Sequence, residues 1–293
     1  MSGIVNAFTI DVEDYFQVAA LAPAIDRASW PERESRVERN TGVLLDLLSE
    51  RCIRGTFFVL GWIAERHPNL IKRIAAEGHE IACHGFSHQL VYAQTPEEFR
   101  EETARSKDTL ENLSGSAVIG YRAASFSITR RSLWALDVLI DLGFKYDSSI
   151  FPIRHDRYGI PDADSRPATL TAPSGRTLVE FPMSAASYLG VRIPVSGGGY
   201  FRLLPYFLTR SGLRQINGRH GRPFTFYLHP WEIDPDQPRV RVSWLSHFRH
   251  YTNLHRCESR LQRLLEEFRF APMREVLATV GLLPAPAGPL RAA

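Results

Sequence analysis

Hydrophobic positions along the chain follow two different spacings. Short runs of β-branched and aromatic residues, such as 4–12, have the length and composition of buried strands. Between these runs lie longer segments whose apolar residues recur three and four positions apart, which is the period of an amphipathic helix. In the segment 39–52, for example, Leu44, Leu47 and Leu48 fall on one helical face. The chain is therefore predicted to alternate strands and helices.

This alternation extends over most of the sequence. The predicted strands lie at 4–12, 55–60, 80–83, 118–121, near 146, at 178–182 and at 224–229. The predicted helices lie at 39–52, 70–77, 97–113 and 130–142, with a longer helical segment at 244–270. Strands that alternate with helices favour an α/β fold in which helices cover a mostly parallel sheet.

Breaks in the pattern indicate the domain organisation. Residues 154–175 show little periodicity and are predicted to form a long loop, and the glycine run 197–199 is predicted to be a turn or a hinge. We expect a single domain at 1–282 that includes a C-terminal helical extension from about 240 to 282. The last residues, 283–293, are expected to form a flexible tail.

Composition excludes several classes of protein. The net charge of the 293-residue chain is only +3, and its Lys and Arg residues form no basic stripe, so we expect no nucleic-acid partner. Three cysteines are too few for a disulfide framework. The sequence has neither the ~18 apolar residues of a transmembrane helix nor the basic segment of a signal peptide. These features predict a cytoplasmic protein that is not an integral membrane protein.

An acidic cluster ends the first predicted strand. Asp11, Glu13 and Asp14 stand at its carboxyl end, which is the edge where parallel α/β folds place their active sites. Because side chains alternate along a strand, Asp11 and Glu13 can face the same side. A solvated acidic turn explains the cluster equally well when it is considered alone.

Two histidines follow another predicted strand. His84 and His88 are four residues apart, so on one face of a helical turn they can hold one metal ion through their imidazole nitrogens. A chance exposed pair is at least as common as a metal site. Because this pair and the acidic cluster lie at the same strand edge, we expect them to be close together in the fold. Two histidines and one carboxylate would leave coordination positions of the metal open for water and substrate.

Two further residues follow strands at the same edge. Arg122 comes just after the strand at 118–121, and its planar guanidinium suits the orientation of a carboxylate, although a surface salt bridge is the default explanation. His229 ends the apolar strand at 224–229. A lone histidine there is more often a structural residue, but its place at this edge makes it a candidate proton donor.

Together, in this order, these motifs resemble the polysaccharide deacetylases of carbohydrate esterase family four. The resemblance extends from Phe8 to about Glu232. It is nearest to the branch encoded with exosortase-type exopolysaccharide loci, whose signatures resemble Asp-Val-Glu-Asp-Tyr-Phe-Gln-Val at 11–18 and Phe-Tyr-Leu-His-Pro-Trp-Glu at 226–232.

The resemblance implies a fold, a reaction and a cofactor. The fold would be a distorted (β/α) barrel of about seven strands with the active site at their C-terminal edge. The protein would be a hydrolase that removes N-acetyl groups from the amino sugars of a bacterial polysaccharide, of exopolysaccharide or cell-wall type, and releases acetate. Its partner would be a polysaccharide or oligosaccharide with N-acetylated amino sugars, its cofactor Zn²⁺ or another divalent transition metal, and its outer helices could support a homo-oligomer.

The resemblance also implies catalytic roles for individual residues. Asp11 matches the general base, Arg122 the arginine that orients this base, and His229 the catalytic acid. Asp147 matches an acidic residue that helps to set the charge states nearby.

Metal-binding and substrate-binding roles follow in the same way. His84 and His88 match two metal ligands, and the third would be Glu13, with Asp14 as the fallback, because Val12 stands where most members have a second aspartate. The residues expected to contact substrate are the backbone amide near Ser125, the pocket wall Leu228 and the apolar platform Trp231. Ala124 stands where the family usually has proline, which affects the turn that presents this amide.

Two other functions are compatible with the same sequence. The first is an amidohydrolase of a small or cyclic amide on the same fold. The second is a catalytically inactive member that binds polysaccharide. Asp11 and His229 argue against the inactive member, since binding alone needs neither residue.

Overall fold

A mostly parallel sheet forms the centre of the protein, for which a computed structural model describes residues 3–188 and 190–285. Eleven strands are present in the described part: β1 (Val5–Val12), β2 (Thr56–Val59), β3 (Glu80–Cys83), β4 (Gly120–Tyr121), β5 (Tyr146–Asp147), β6 (Ala168–Thr171), β7 (Thr177–Glu180), β8 (Ala185–Tyr188), β9 (Val191–Pro194), β10 (Thr225–Leu228) and β11 (Arg269–Ala271). The main sheet has the order β10-β1-β2-β3-β4-β5-β7-β6, and β11 also pairs with β1. Its pairings are parallel except for β6 with β7, while β8 and β9 form a separate antiparallel hairpin. The predicted α/β class with a mostly parallel sheet is confirmed.

The helices lie mainly between consecutive strands. They are α1 (Val37–Ser49), α2 (Gly61–Arg66), α3 (Pro68–Ala76), α4 (Pro96–Ser114), α5 (Trp134–Asp141), α6 (Gly198–Leu203), α7 (Tyr206–Arg214), α8 (Trp244–Tyr251), α9 (Cys257–Glu267) and α10 (Met273–Thr279). The start of α4 shows how the sequence sets a helix boundary, because Thr95 and Glu98 form a reciprocal capping box and Pro96 occupies the first turn. No helix in the described ranges is long and apolar enough to cross a membrane.

Strand β1 determines which side chains face inward. Phe8, Ile10 and Val12 belong to the large apolar cluster that includes the helices, whereas Ala7 packs with residues of the opposite face of the sheet. Because side chains alternate along a strand, Asp11 shares the face of Ala7. Strand alternation therefore directs the carboxylate of Asp11 toward the interior of the curved sheet.

The C-terminal part of the chain differs in detail from the prediction. The predicted helical segment at 244–270 is divided into α8 and α9, and its last residues form β11, which pairs with β1. The predicted loop at 154–175 contains β6, and β8 and β9 were not predicted. These short strands are partly exposed, so they lack the continuous apolar run by which the buried strands are recognised in the sequence. Of the predicted tail, residues 286–293 lie outside the described part; the single-domain organisation stays a prediction.

The glycine run at 197–199 forms a close contact with β10. Gly197 has φ +126°, and a Cβ atom on it would lie 1.9 Å from the carbonyl oxygen of Tyr227. Tyr227 N donates a 2.7 Å hydrogen bond to the carbonyl oxygen of Ser196. Only glycine permits both this backbone conformation and this approach. The run therefore seats the start of α6 against β10, beside the C-terminal edge of the sheet.

Candidate active site

A cavity of about 520 Å³ opens at the carboxyl ends of the parallel strands. Its lining combines ionisable and aromatic side chains: Asp11, Glu13, His84, His88, Ser125, Tyr158, Tyr200, Tyr227, His229, Trp231 and His250 are among them. Acids from β1, histidines that follow β3 and the histidine that follows β10 thus reach one cavity. The shared strand edge brings together groups that are more than 200 residues apart in sequence.

Glu13, His84 and His88 form a buried group that could hold a metal ion. One ligand atom from each residue lies within 4.8 Å of the other two. Glu13 Oε2 is 2.8 Å from His88 Nε2, yet this buried oxygen has no hydrogen-bond partner of acceptable geometry in the described part of the chain. Two imidazoles and a carboxylate that converge in this way match the ligand preferences of a divalent transition metal.

The surroundings of His84 suit a metal ligand. Its Nδ1 lies 2.7 Å from the carbonyl oxygen of Arg122, a contact that orients the ring and directs Nε2 toward the group. Burial lowers the pKa of His84 to about 4, so the ring is neutral at pH 7 and keeps a lone pair for a metal. Burial raises the pKa of Glu13, but His88, His229 and His84 more than offset this effect, so the net pKa is low and the carboxylate is ionised.

Asp14 has a structural role. Its Oδ1 accepts a hydrogen bond from Tyr15 N, and its Oδ2 accepts from the Ser35 hydroxyl and from the backbone N–H groups of Arg36 and Val37. These four bonds cap a short 3₁₀ helix and join it to the start of α1. Because its lone pairs are engaged there, the geometry favours Glu13 over Asp14 as the third ligand.

The two histidines do not lie on a helical turn, contrary to the prediction. His84 directly follows β3, and the segment to His88 is an irregular loop in which Gly85 has φ +77° and His88 has φ +53°. The loop turns the chain back on itself and brings the two ring centroids to 5.5 Å. Residues four apart therefore meet here through left-handed backbone conformations and not through helical periodicity.

Asp11 and Arg122 form a fully enclosed ion pair. Arg122 Nη1 donates to Asp11 Oδ1 at 2.6 Å and to the Thr9 hydroxyl at 2.8 Å, while Nε donates to the Ser148 carbonyl at 3.2 Å. The guanidinium also lies 4.0 Å above the ring of Phe58. Such a network fixes one carboxylate oxygen and leaves Asp11 Oδ2 facing the cavity, 3.9 Å from His229 Nε2. Arg122 thus forms a buried, oriented pair with Asp11, and not the surface salt bridge that would be the default explanation for an isolated arginine.

His229 has a carboxylate partner that the prediction did not identify. Glu232 Oε1 lies 2.7 Å from His229 Nδ1, and Glu232 Oε2 accepts a 2.6 Å hydrogen bond from Arg202 Nε. Burial alone would lower the pKa of His229, but the carboxylates of Glu13, Glu232 and Asp11 raise it to about 9. The imidazole is therefore protonated at neutral pH and directs Nε2 toward the cavity.

Arg202 connects this pair to the C-terminal end of α8. Its Nη1 donates to the carbonyl oxygens of His250 and Thr252, and its Nη2 donates to that of Arg249. These carbonyls lack partners within α8 and carry the negative end of its dipole, so they attract a buried guanidinium. The sequence signal for Glu232 was its position three residues after His229, whereas Arg202 gave no signal.

Asp147 is not among the residues that line the cavity shared by Asp11 and His229. Its carboxylate accepts a 2.5 Å hydrogen bond from the Ser149 hydroxyl and pairs with the buried carboxyl of Glu180, and burial raises the pKa of both acids. The carboxylates that raise the pKa of His229 are Glu13, Glu232 and Asp11, and Glu232 is the one that contacts its Nδ1. The catalytic role predicted for Asp147 stays a prediction that this geometry does not support.

The three expected substrate contacts have different positions. Leu228 is fully buried in the apolar core, because Tyr227 and His229 face the cavity and strand alternation directs Leu228 to the opposite side. The pocket-wall assignment of Leu228 is therefore wrong. Trp231 lines the cavity, but its indole N–H donates to Glu13 Oε1 at 3.1 Å and its ring stacks on His229, so it also positions the site. Ser125 lines the cavity in a sharp turn with φ +51°.

Two different family models match two consecutive segments of this chain. Residues 29–146 match the family model described as polysaccharide deacetylase, and residues 148–278 match a domain of unknown function, DUF3473. Residues 29–146 are therefore similar in sequence to polysaccharide deacetylases. The polysaccharide deacetylase segment contains His84, His88 and Arg122, and the second segment contains His229. Asp11 and Glu13 precede both segments.

Two curated relatives support this family. A peptidoglycan-N-acetylglucosamine deacetylase of Bacillus cereus is 39% identical over 77 residues, which are 26% of this chain and 28% of that protein. A chitooligosaccharide deacetylase of Rhizobium leguminosarum bv. trifolii is 33% identical over 99 residues, which are 34% of this chain and 43% of that protein. The chain thus spans less than half the length of either relative.

A solved structure shows the same fold over most of the chain. A Mycobacterium smegmatis protein, whose assignment as a polysaccharide deacetylase is provisional, superposes with a TM-score of 0.64 and 21% identity, over 95% of this chain and 90% of that protein. The predicted deacetylase-type α/β fold is therefore supported by architecture as well as by sequence. In the described residues no strand ladder closes the sheet into a complete barrel.

Proposed function

We propose that this protein is a metal-dependent hydrolase that removes N-acetyl groups from amino sugars of a bacterial polysaccharide. The observation that supports it most is the convergence of three groups in one cavity. These are the potential metal ligands Glu13, His84 and His88, the Asp11 carboxyl group oriented by Arg122, and the protonated His229. Hydrolysis of an amide needs a base for the water and an acid for the leaving nitrogen, and the cavity offers both.

Asp11 acts as the general base. Arg122 is always charged and holds one oxygen of this carboxylate, so the other oxygen faces the cavity and accepts a proton from the water that attacks the acetamide carbonyl. A divalent ion at Glu13, His84 and His88 would supply Lewis acidity, and we propose Zn²⁺ or a similar transition metal.

His229 acts as the general acid. An amine anion is a poor leaving group, so cleavage of the carbon–nitrogen bond requires a proton on the nitrogen. Glu232 stabilises the imidazolium through Nδ1 and leaves Nε2 as the donor. The products are acetate and a free amino group on the sugar.

The shape and lining of the cavity suit a sugar substrate. Tyr158, Tyr200 and Trp231 line a cavity of about 520 Å³, within the range of roughly 300–1,000 Å³ that small-molecule sites occupy. Aromatic rings can stack on the apolar faces of sugar rings while polar neighbours bind hydroxyl groups. We place the protein in the exopolysaccharide branch because of its motifs at 11–18 and 226–232.

The test is acetate release from acetylated chitooligosaccharides of increasing length, with and without a chelator, together with elemental analysis of protein prepared without chelators. We expect near one equivalent of a divalent metal per chain and loss of activity on chelation. Turnover only of small or cyclic amides would favour the amidohydrolase alternative. Retention of full metal content by a His84→Ala, His88→Ala double variant would contradict the metal site.

A further inference from the structure

A second cavity of about 430 Å³ has a strongly basic lining. It lies between the segment that precedes β6, the β8–β9 hairpin and the segment that precedes β10, and it shares no lining residue with the candidate active site. Three arginines, a histidine and two serines line it: Arg166, Arg192, Arg222, His220, Ser165 and Ser187. Among its described lining residues none is acidic.

Two of the arginines are held in place. Arg192 Nη1 donates to the carbonyl oxygens of Pro152, Pro161 and Ala163, each at 3.0 Å. Arg222 Nη1 donates to the Ser165 hydroxyl at 2.9 Å. These contacts fix both guanidinium groups at the cavity without neutralising their charge, because carbonyl and hydroxyl oxygens carry no formal charge.

The positive charge at this cavity exceeds the negative charge nearby. Arg166 is paired with Asp164 at 3.0 Å, whereas the hydrogen bonds of Arg192 and Arg222 go to neutral oxygens. Burial and the two neighbouring arginines, Arg166 and Arg192, lower the pKa of Arg222 below its usual range, and the nearby Asp164 offsets this effect only in part. The Nε of Arg222 is buried and has no hydrogen-bond partner in the described ranges. A buried donor without an acceptor, among like charges, is a costly arrangement that a bound anion would relieve.

We propose that this cavity binds an oxyanion, the phosphate or carboxylate group of a ligand about the size of one sugar. Guanidinium groups bind both anions through paired N–H donors, and the serine hydroxyls and His220 add further donors. The volume leaves room for more than the anion, since ligand cavities of roughly 300 Å³ or more accept small organic molecules. This site is independent of the proposed deacetylation.

The test is calorimetric titration of the metal-loaded protein with inorganic phosphate, glucose 1-phosphate and glucuronate. Glucose, which is uncharged, is the negative control. We expect saturable binding of the anions and none of glucose. Preference for glucose 1-phosphate over glucuronate identifies phosphate as the ligand group, and the reverse order identifies carboxylate. Arg222→Gln should weaken binding by about tenfold or more, as expected when a charged hydrogen-bonding partner is removed.

The matched control is Arg105→Gln, which removes the same charge from a surface arginine that pairs with Glu65. It should leave anion affinity unchanged, and both variants should keep the deacetylase activity of the parent. Arg166→Gln, at an exposed position, serves as a second variant if Arg222→Gln unfolds, which circular dichroism will show. Absence of saturable anion binding, or equal weakening by Arg222→Gln and Arg105→Gln, would overturn the proposal.

Discussion

The two charged pairs at the candidate site are built in different ways. Asp11 is held by Arg122, which follows β4 and is 111 residues away in sequence. His229 is held by Glu232, only three residues later in the chain, and Glu232 is held in turn by Arg202. The first pair depends on the packing of distant strands, and the second depends on a local turn anchored to α8.

This difference separates two kinds of charge control. Arg122 is positively charged at any accessible pH, so a single ion pair with it is enough to orient the carboxyl group of Asp11. Glu232 is itself ionisable, and burial raises its pKa, but Arg202 and His229 more than offset this effect and lower the pKa. The general acid is therefore held by a series of three charged groups, His229, Glu232 and Arg202, whereas the general base needs only Asp11 and Arg122.

Replacement of the base should have the largest effect. Asp11→Asn keeps the size of the side chain and the contact with Arg122 but removes the basic oxygen, so turnover should fall by about a hundred- to ten-thousandfold. Elemental analysis should find the metal content of the parent. Loss of the metal together with activity would instead make Asp11 a ligand and reverse its role.

Replacement of the acid should have an effect that depends on the leaving group. His229→Ala should lower turnover of N-acetylated sugars by about a hundredfold. It should spare an activated aryl acetate far more, since a phenolate leaves without a proton. His247→Ala, at an exposed position on α8, is the control and should match the parent on both substrates. Equal losses on both substrates would show that His229 is structural.

Removal of the Glu232 charge, which stabilises protonated His229, should lower activity moderately and change its pH dependence. Glu232→Gln keeps an acceptor for His229 Nδ1 but removes the negative charge that helps to raise the pKa of this histidine to about 9. His229 would then lose its proton at a lower pH, so the alkaline limb of the activity profile should move to lower pH. At neutral pH we expect a loss of about tenfold in turnover of N-acetylated sugars.

Glu232→Gln also leaves Arg202 without its counter-charge, which can destabilise the fold. The double variant Arg202→Gln, Glu232→Gln removes both charges and is the control for this effect, with stability followed by thermal denaturation. An unchanged alkaline limb in a folded Glu232→Gln variant would contradict the role of Glu232.

The smallest effect on activity is expected at Asp14. Asp14→Ala removes a carboxylate that accepts four hydrogen bonds, so the free energy of unfolding should fall by about 2 kcal/mol. Activity per folded molecule and metal content should be unchanged. Glu13→Ala, measured in parallel, should lose the metal. The opposite pattern would make Asp14 the third ligand.

Much of the base side could be predicted from the sequence. Asp11 stands at the carboxyl end of a run that the hydrophobic pattern identifies as a strand, His84 and Arg122 directly follow two other such runs, and parallel strands end at one edge. The acid side could be predicted only in part. His229 follows such a strand, but Arg202 lies in a short helix 27 residues earlier whose contact with Glu232 leaves no periodic signal.

Some of the errors have the same physical origin. Leu228 was assigned to the pocket because the family motif pairs a pocket wall with the catalytic acid, although a strand directs the side chains of Leu228 and His229 to opposite faces. Asp147 was assigned from its place in a motif, but it does not line the cavity. Adjacency in sequence or a place in a motif does not by itself bring a side chain into the site.

The sequence by itself determined the order of strands and helices and the side chains that the strands deliver to one edge, because hydrophobic periodicity and strand alternation are local properties. Only the tertiary structure brings Glu13, and not Asp14, beside the two histidines, and only it forms the loop from His84 to His88 and the contact of Arg202 with Glu232. Each of these features depends on the hydrogen-bond or ion-pair partner of a buried polar group. These partners come together only when distant segments of the chain pack and exclude water.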